Sequence, residues 1–107
     1  MPDLYDNPLG TDGFEFVEYT SPDPHTLAKL FESLGFTAVS KHRSKNVVRY
    51  KQGDINFILN MEPSGQPAAF RGVHGAGANA MAFRVKDAAK AYAEAIKTSL
   101  KPFLAVF

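Results

Sequence analysis

The chain has 107 residues, of which 45% are hydrophobic and 21% charged, a composition typical of one globular domain with its own core. A formal net charge of +1 provides no bulk attraction to nucleic acid or to an anionic membrane. The absence of cysteine excludes disulfides, thiolate zinc sites and a cysteine nucleophile, and it fits a cytoplasmic protein. No secretory signal is predicted in the first residues, and no apolar run approaches the length of a membrane span.

The first half of the chain predicts a strand, a helix and three further strands. Residues 1–12 are polar, contain Asp, Gly and Pro, and are interpreted as an irregular arm. Residues 13–19 alternate Phe with Glu and then continue with Val and Tyr, which predicts a largely buried strand. The three later strands are separated by short turns and are therefore expected to be antiparallel neighbours; they cover residues 36–43, 46–51 and 55–61.

The helix that follows the first strand has clear start and stop signals. Asp23 can cap its amino-terminus, and Pro24 suits the first helical position because the missing N–H has no helical partner there. Gly35 favours the end of the helix. Between them, apolar residues at helical spacing form one face: Leu27, Leu30, Phe31 and Leu34.

The second half of the chain is predicted to repeat the start of this order, a strand, a helix and the beginning of another strand, without the remaining strands. Residues 62–78 are rich in Gly, Pro and Ala and are interpreted as a long connection. Residues 79–85 predict a strand, Asp87 can cap a helix, and residues 101–107 could begin another strand. The apolar face of this helix is predicted to contain Ala88, Ala91, Tyr92, Ala95 and Ile96.

This order indicates an α+β fold, made of one complete β-α-β-β-β module at 13–61 and an incomplete β-α-β module at 79–107. Such a module forms a curved sheet with a helix on its convex face, and two modules side by side close a barrel-like cup. Because strands of the second module are missing, an unpaired edge and an uncovered apolar face are expected. The sequence therefore predicts a homo-oligomer or a swapped dimer.

Several polar residues are candidates for a functional site. His25, His42 and His74 are scattered and favour ordinary surface or loop positions over a metal site. The run from Gly72 to Gly77 lacks the Gly-x-x-x-x-Gly-Lys pattern of a phosphate loop and favours a flexible linker. A basic hairpin is interpreted as a solvated edge rather than an anion-binding patch; it contains Lys41, Arg43, Lys45, Arg49 and Lys51.

Glu18 and two asparagines lie on predicted strand faces. Glu18 could act as a base, but a solvated carboxylate or one paired with Arg or Lys is favoured. Asn56, Ile58 and Asn60 share one face of a strand, and a hydrogen-bonded pair between strands is favoured there over a polar pocket.

Four stretches together resemble the start of bacterial 4-hydroxyphenylpyruvate dioxygenases. They read Asp-Leu-Tyr-Asp-Asn-Pro-Leu-Gly (3–10) followed by Gly-Phe-Glu-Phe-Val-Glu-Tyr (13–19), Leu-Gly-Phe-Thr-Ala-Val-Ser-Lys-His-Arg-Ser-Lys-Asn-Val (34–47), Tyr-Lys-Gln-Gly-Asp-Ile-Asn-Phe-Ile-Leu-Asn (50–60) and Met-Ala-Phe-Arg-Val-Lys-Asp (81–87). The resemblance implies the vicinal-oxygen-chelate fold of paired β-α-β-β-β modules. It also implies that the whole enzyme uses Fe(II) and O2 to convert 4-hydroxyphenylpyruvate to homogentisate in tyrosine breakdown.

In that family the iron is held in the carboxy-terminal half by two histidines and one glutamate. The corresponding positions of this chain fall at Phe16, Met81 and Ile58, and none of these side chains can hold Fe(II). The resemblance therefore implies no catalytic, cofactor-binding or metal-binding residue in this chain and no activity of the chain alone. Its implied role is structural, against a carboxy-terminal catalytic domain and in subunit contacts.

Two alternatives stay open from the sequence. One is a stand-alone vicinal-oxygen-chelate protein that binds a ligand as a dimer, as resistance proteins of this fold do. The other is part of a hydroxymandelate synthase-like enzyme, which shares the substrate and the iron. The stretch after Lys101-Pro102 fits the family poorly, which would be explained by an artificial boundary, a shortened gene or a change of reading frame.

Overall fold

The computed structural model describes residues 7–97 and confirms an α+β fold. The predicted strand at 101–107 and the first six residues of the predicted arm lie outside the described residues. In chain order the elements are β1 (Thr11–Thr20), α1 (Pro24–Ser33), β2 (Thr37–Lys41), β3 (Val47–Gln52), β4 (Ile55–Asn60), α2 (Gly65–His74), β5 (Gly77–Val85) and α3 (Ala88–Lys97).

The five strands form one sheet in the order β2-β3-β4-β1-β5. The antiparallel pairing of β2 with β3 and of β3 with β4 confirms the predicted hairpins. β1 instead pairs with β4 in parallel, with Val17 opposite Phe57 and Tyr19 opposite Leu59. A parallel neighbour requires a long crossover, which here consists of α1, β2 and β3.

The described residues divide into two compact units: Phe16–Met81, and residues 7–15 together with 82–97. In the first unit, the core lies between α1 and one face of the sheet. Its buried residues are Phe31, Phe36, Tyr50 and Leu59, against which Tyr19, Val48 and Phe57 pack. Burial raises the pKa of the Tyr50 phenol, and the nearby Glu32 carboxylate adds to that shift.

Because Tyr19, Phe57 and Leu59 point towards α1, the alternate residues of the same strands lie on the other side of the sheet. We call that side the second face. In the first unit it contains Phe16, Glu18, Asn56, Ile58, Asn60, Asn79 and Met81.

The other unit has its own aromatic and polar contacts. The rings of Phe14 and Phe83 stack with centroids 5.0 Å apart. The Arg84 guanidinium donates to the Glu15 carboxylate at 3.1 Å. Asp87 caps α3 as predicted, since its Oδ1 accepts from the Lys90 N–H at 3.0 Å. On the predicted apolar face of α3, the small side chains of Ala91 and Ala95 are buried. The larger side chains of Tyr92 and Ile96 are half exposed.

The connection predicted at 62–78 contains a helix, α2, and the interpretation of Gly72–Gly77 as a linker is wrong because Gly72, Val73 and His74 form the last turn of that helix. No α2 residue is fully buried. Its Arg71 instead donates to the Thr20 hydroxyl at 3.1 Å and to the Glu62 carbonyl at 2.8 Å. Polar contacts to distant residues thus help hold a segment whose composition is typical of a loop.

The predicted element bounds also need adjustment. β1 begins at Thr11, so the last two residues of the predicted arm belong to the sheet. β5 begins at Gly77 rather than at residue 79. The division into modules at 13–61 and 79–107 stays a prediction. Among the residues that the structure describes, no helix combines the length and the apolar character needed to cross a membrane.

The amino-terminal cap of α1 gives a pH-dependent prediction. Two hydrogen bonds from Thr26 hold the pKa of the Asp23 carboxyl below the ordinary value of 3.8. The bond from the Thr26 hydroxyl has the larger effect, and the bond from its backbone N–H the smaller. A lowered pKa means that the cap stabilises the fold above the ordinary pKa, and that this contribution is lost as the pH falls through the lowered pKa. Asp23→Ala should therefore lower the thermal unfolding midpoint at neutral pH, by a difference that shrinks in acid.

Circular dichroism melts of wild type and Asp23→Ala across the acid range would measure this. Asp23→Asn is the matched control, because asparagine caps without titrating. A difference between wild type and Asp23→Ala that stays constant down to about pH 2 would contradict the role of the charged cap.

Candidate functional site

The second face has a hydrogen-bonded network centred on Glu18. The Asn79 side-chain amide donates to Glu18 Oε2 at 2.7 Å, and the Asn60 amide donates to Glu18 Oε1 at 3.3 Å. These three residues lie on neighbouring strands, β5, β1 and β4. The carboxylate is therefore held from both sides by neutral amide donors.

Pairing of Glu18 with Arg or Lys, one part of the favoured interpretation, is not seen among residues 7–97, where its side-chain partners are amides. The carboxylate is half-buried, so the other part, solvation, is not contradicted. The favoured hydrogen bond between strands is confirmed for Asn60, which bonds Glu18 from β4. For Asn56 it is not, since Asn56 Oδ1 is buried without a partner among the described residues.

α2 extends this network from above the sheet. Gln66 Oε1 accepts a second bond from the Asn79 amide at 2.8 Å, and Gln66 Nε2 donates to the Asn79 backbone carbonyl at 2.9 Å. Asn60 Oδ1 accepts from the Glu62 backbone N–H at 3.1 Å. We call Glu18, Asn60, Gln66 and Asn79 the amide–carboxylate network. Periodicity places Glu18 and Asn60 on strand faces but cannot reveal that these strands are adjacent.

The three positions where the resemblance would place iron ligands also lie on the second face. Phe16 and Ile58 have no donor atom, and the thioether of Met81 is a soft ligand that suits Fe(II) poorly. Within residues 7–97, no three His, Cys, Asp or Glu side chains gather closely enough to hold a metal ion. The residues present therefore do not fit the iron that the family uses.

The three histidines lie on separate, exposed parts of the first unit. His25 is in the first turn of α1. His42 follows β2, and its Nδ1 accepts from the backbone N–H groups of Ser44 and Lys45 at 3.2 and 3.1 Å. His74 ends α2 with its ring 4.8 Å from that of Phe70. The structure does not bring them together.

The basic hairpin of the sequence prediction is formed by β2 and β3, and its charged side chains are exposed. β2 lies at one end of the sheet, opposite β5. Charged side chains on a terminal strand oppose pairing with another sheet edge, which agrees with the favoured interpretation.

Comparison with known proteins gives a consistent result. Residues 5–106 match the family described as hydroxyphenylpyruvate dioxygenase, HPPD, N-terminal. The chain is 52% identical over 100 residues to 4-hydroxyphenylpyruvate dioxygenase of Pseudomonas sp. (strain P.J. 874), covering 94% of this chain and 28% of that protein. It is 55% identical over 93 residues to 4-hydroxyphenylpyruvate dioxygenase of Pseudomonas aeruginosa, covering 82% of this chain and 26% of that protein.

A solved structure shows the same relationship. It is a xylose isomerase-like TIM barrel/4-hydroxyphenylpyruvate dioxygenase fusion protein that is 38% identical, with a TM-score of 0.71 over 81% of this chain and 15% of the other. The chain thus spans little more than a quarter of the length of the two curated relatives. The sheet and its helices have the glyoxalase, or vicinal-oxygen-chelate, fold, and the chain belongs to the hydroxyphenylpyruvate dioxygenase amino-terminal family.

Proposed function

We propose that the chain serves as a non-catalytic amino-terminal domain of a 4-hydroxyphenylpyruvate dioxygenase-like enzyme, in which a carboxy-terminal domain holds the iron. The observation that carries this proposal is the chemistry of the second face. Phe16, Ile58 and Met81 occupy the positions of the expected ligands, and none of them is a suitable donor for Fe(II).

In the proposed enzyme, Fe(II) supplies activation of O2 for the conversion of 4-hydroxyphenylpyruvate to homogentisate. Both curated relatives described above are named 4-hydroxyphenylpyruvate dioxygenase, which favours this chemistry over that of a hydroxymandelate synthase. The residues of this chain would support the catalytic domain by packing. Its first unit offers exposed apolar side chains for such contacts, among them Leu30, Leu34 and Val73.

Partners and location follow as parts of the same proposal. The catalytic domain is the proposed partner because the relatives extend well beyond the matching segment. A homo-oligomer is proposed from the terminal position of β5 in the sheet, which leaves one of its edges without a neighbouring strand among residues 7–97. The cytoplasmic location stays a prediction from composition.

Metal analysis and oxygen uptake test the absence of catalysis in this chain. The purified 107-residue chain should contain far less than one iron per molecule after incubation with Fe(II), and should consume no O2 with 4-hydroxyphenylpyruvate. The full-length Pseudomonas aeruginosa relative, treated in parallel, is the positive control. Stoichiometric iron with turnover by the short chain would refute the proposal.

A chimera tests the supporting role directly. The matching 93-residue segment of the Pseudomonas aeruginosa relative would be replaced by that of this chain. Since no iron ligand is proposed in the exchanged segment, the chimera should keep its iron content and a substantial part of its oxygen uptake. A well-folded chimera that binds no iron would show that the segment contributes more to the metal site than packing.

A further inference from the structure

The loop between β2 and β3 folds back onto the imidazole of one of its own residues. His42 Nδ1 accepts from the backbone N–H of Ser44 at 3.2 Å and from that of Lys45 at 3.1 Å. The end of the loop is held by backbone bonds, since the His42 N–H donates to the Val47 carbonyl at 2.9 Å. Within residues 7–97, the Ser44 and Lys45 N–H groups therefore depend on the His42 ring for their acceptor.

These two bonds define the protonation state of the ring. An imidazole nitrogen accepts a hydrogen bond only when it has no proton, so the ring is neutral and its proton lies on Nε2. Turning the ring over would place Cδ2 against the two N–H groups and leave both without an acceptor, which fixes the ring orientation as well. A proton added to Nδ1 would make it a donor that faces two donors, and both bonds would break.

The charged groups around this loop are mostly cations. The loop is surrounded by β2, β3, the end of β4 and the first turn of α1. Their charged and titratable side chains, with those of the loop itself, are His25, Lys41, Arg43, Lys45, Arg49 and Glu62. Among the described contacts, none of these side chains forms a hydrogen bond or an ion pair with the His42 ring. A proton taken up by His42 therefore adds a positive charge to the basic hairpin, with no carboxylate in contact to hold the ring in place.

Release of the two N–H groups does not require the hairpin to unfold. Residues 43–46 are all exposed, so the freed N–H groups can bond to water. The two strands stay paired, with Lys41 opposite Val48, and the Asn46 carbonyl still accepts from the Met61 N–H at 2.8 Å. The change is thus confined to the middle of the loop.

We propose that His42 is a pH-sensitive switch of the β2–β3 loop: the neutral imidazole holds Ser44 and Lys45, and the protonated imidazole releases them. Because both bonds need an unprotonated Nδ1, the closed loop is present in neutral and alkaline solution and is lost as acid protonates the ring. The open loop has a higher positive charge and two free backbone donors, so it attracts anions more strongly. This inference does not depend on the proposed function.

Hydrogen exchange of single backbone amides in the 107-residue chain, followed by NMR, tests the switch. At about pH 8 the Ser44 and Lys45 amides should exchange roughly three- to tenfold more slowly than the same amides in an unstructured peptide, as expected for one hydrogen bond of ordinary net strength. At about pH 4.5 this protection should be lost. The Met61 amide, which bonds a carbonyl, should stay protected at both pH values.

Two variants separate the proton on His42 from other effects of acid. The asparagine side-chain oxygen can accept backbone N–H bonds from the residues that follow it and does not titrate, so His42→Asn should keep the protection at both pH values. His42→Ala has no acceptor and should show no protection of Ser44 and Lys45 at either pH value.

Protection that is equal at both pH values in wild type, or that survives in His42→Ala, would overturn the proposal. So would loss of protection in acid by His42→Asn, because the release would then come from another group. Independently of any variant, nitrogen NMR signals that place the proton of the neutral His42 ring on Nδ1 would be incompatible with the switch.

Discussion

Phe31→Ala is expected to destabilise the fold by about 3–5 kcal/mol, the range for truncating a buried aromatic side chain. Phe31 is 2% exposed, and its ring centroid lies 5.2 Å from Tyr19, 5.3 Å from Tyr50 and 5.2 Å from Phe57. These partners come from three strands, so the cavity would open where α1 joins the sheet. Since domains are stable by only about 5–15 kcal/mol, urea unfolding should show a large fall in the midpoint.

Leu30→Ala is the matched control for this substitution. Leu30 precedes Phe31 on the same helix but is 50% exposed, so its truncation removes less buried surface and should cost under about 1 kcal/mol. Equal losses for the two variants would show that α1 does not pack through Phe31.

Gly35→Ala is expected to cost about 2 kcal/mol, mainly through backbone strain. Gly35 has φ of 96°, in the region that side chains disfavour. It completes the end of α1, where its N–H bonds the Glu32 carbonyl and the next N–H, that of Phe36, bonds the Phe31 carbonyl, both at 3.0 Å. An added Cβ would also lie 2.5 Å from Gln52 Nε2, which must move.

Gly72→Ala is the opposite case and serves as control. Gly72 lies inside α2, without a positive φ, and a Cβ added there would meet no atom within 4 Å, so alanine should stabilise the fold by about 0.5–1 kcal/mol. Urea unfolding of both variants should therefore give shifts of opposite sign. A Gly35→Ala variant that is as stable as wild type, or more stable, would mean that the Gly35 conformation is not required by the fold.

α1 could be predicted from the sequence because its signals are local. Asp23 and Pro24 mark its start, and Gly35 marks its end within two residues of the last helical one, Ser33. α2 could not be predicted in this way. Pro67 and Gly72 are poor helix residues, and the Arg71 bond that helps hold the segment ends on Thr20, 51 positions away.

The candidate site shows the same limit. Alternation places Glu18 and Asn60 on strand faces, but they are 42 positions apart, and Glu18 and Asn79 are 61 apart. Their contact depends on the strand order β4-β1-β5, which hydrophobic periodicity does not specify. The family, by contrast, could be named from four stretches of sequence. Each stretch alone is weak evidence, but their occurrence together in this order is specific to the family.

The parallel pairing of β1 with β4 has a consequence for the order in which the fold assembles. β3 and β4 are joined by a tight turn and can pair as soon as both exist, whereas β1 can pair with β4 only after a helix and three strands, β4 among them, have followed it. Pairing across such a long segment is slow because the entropy of closing the loop is lost before the contacts form. β1 is synthesised before the other strands of this sheet, but it is thus expected to be among the last to pair.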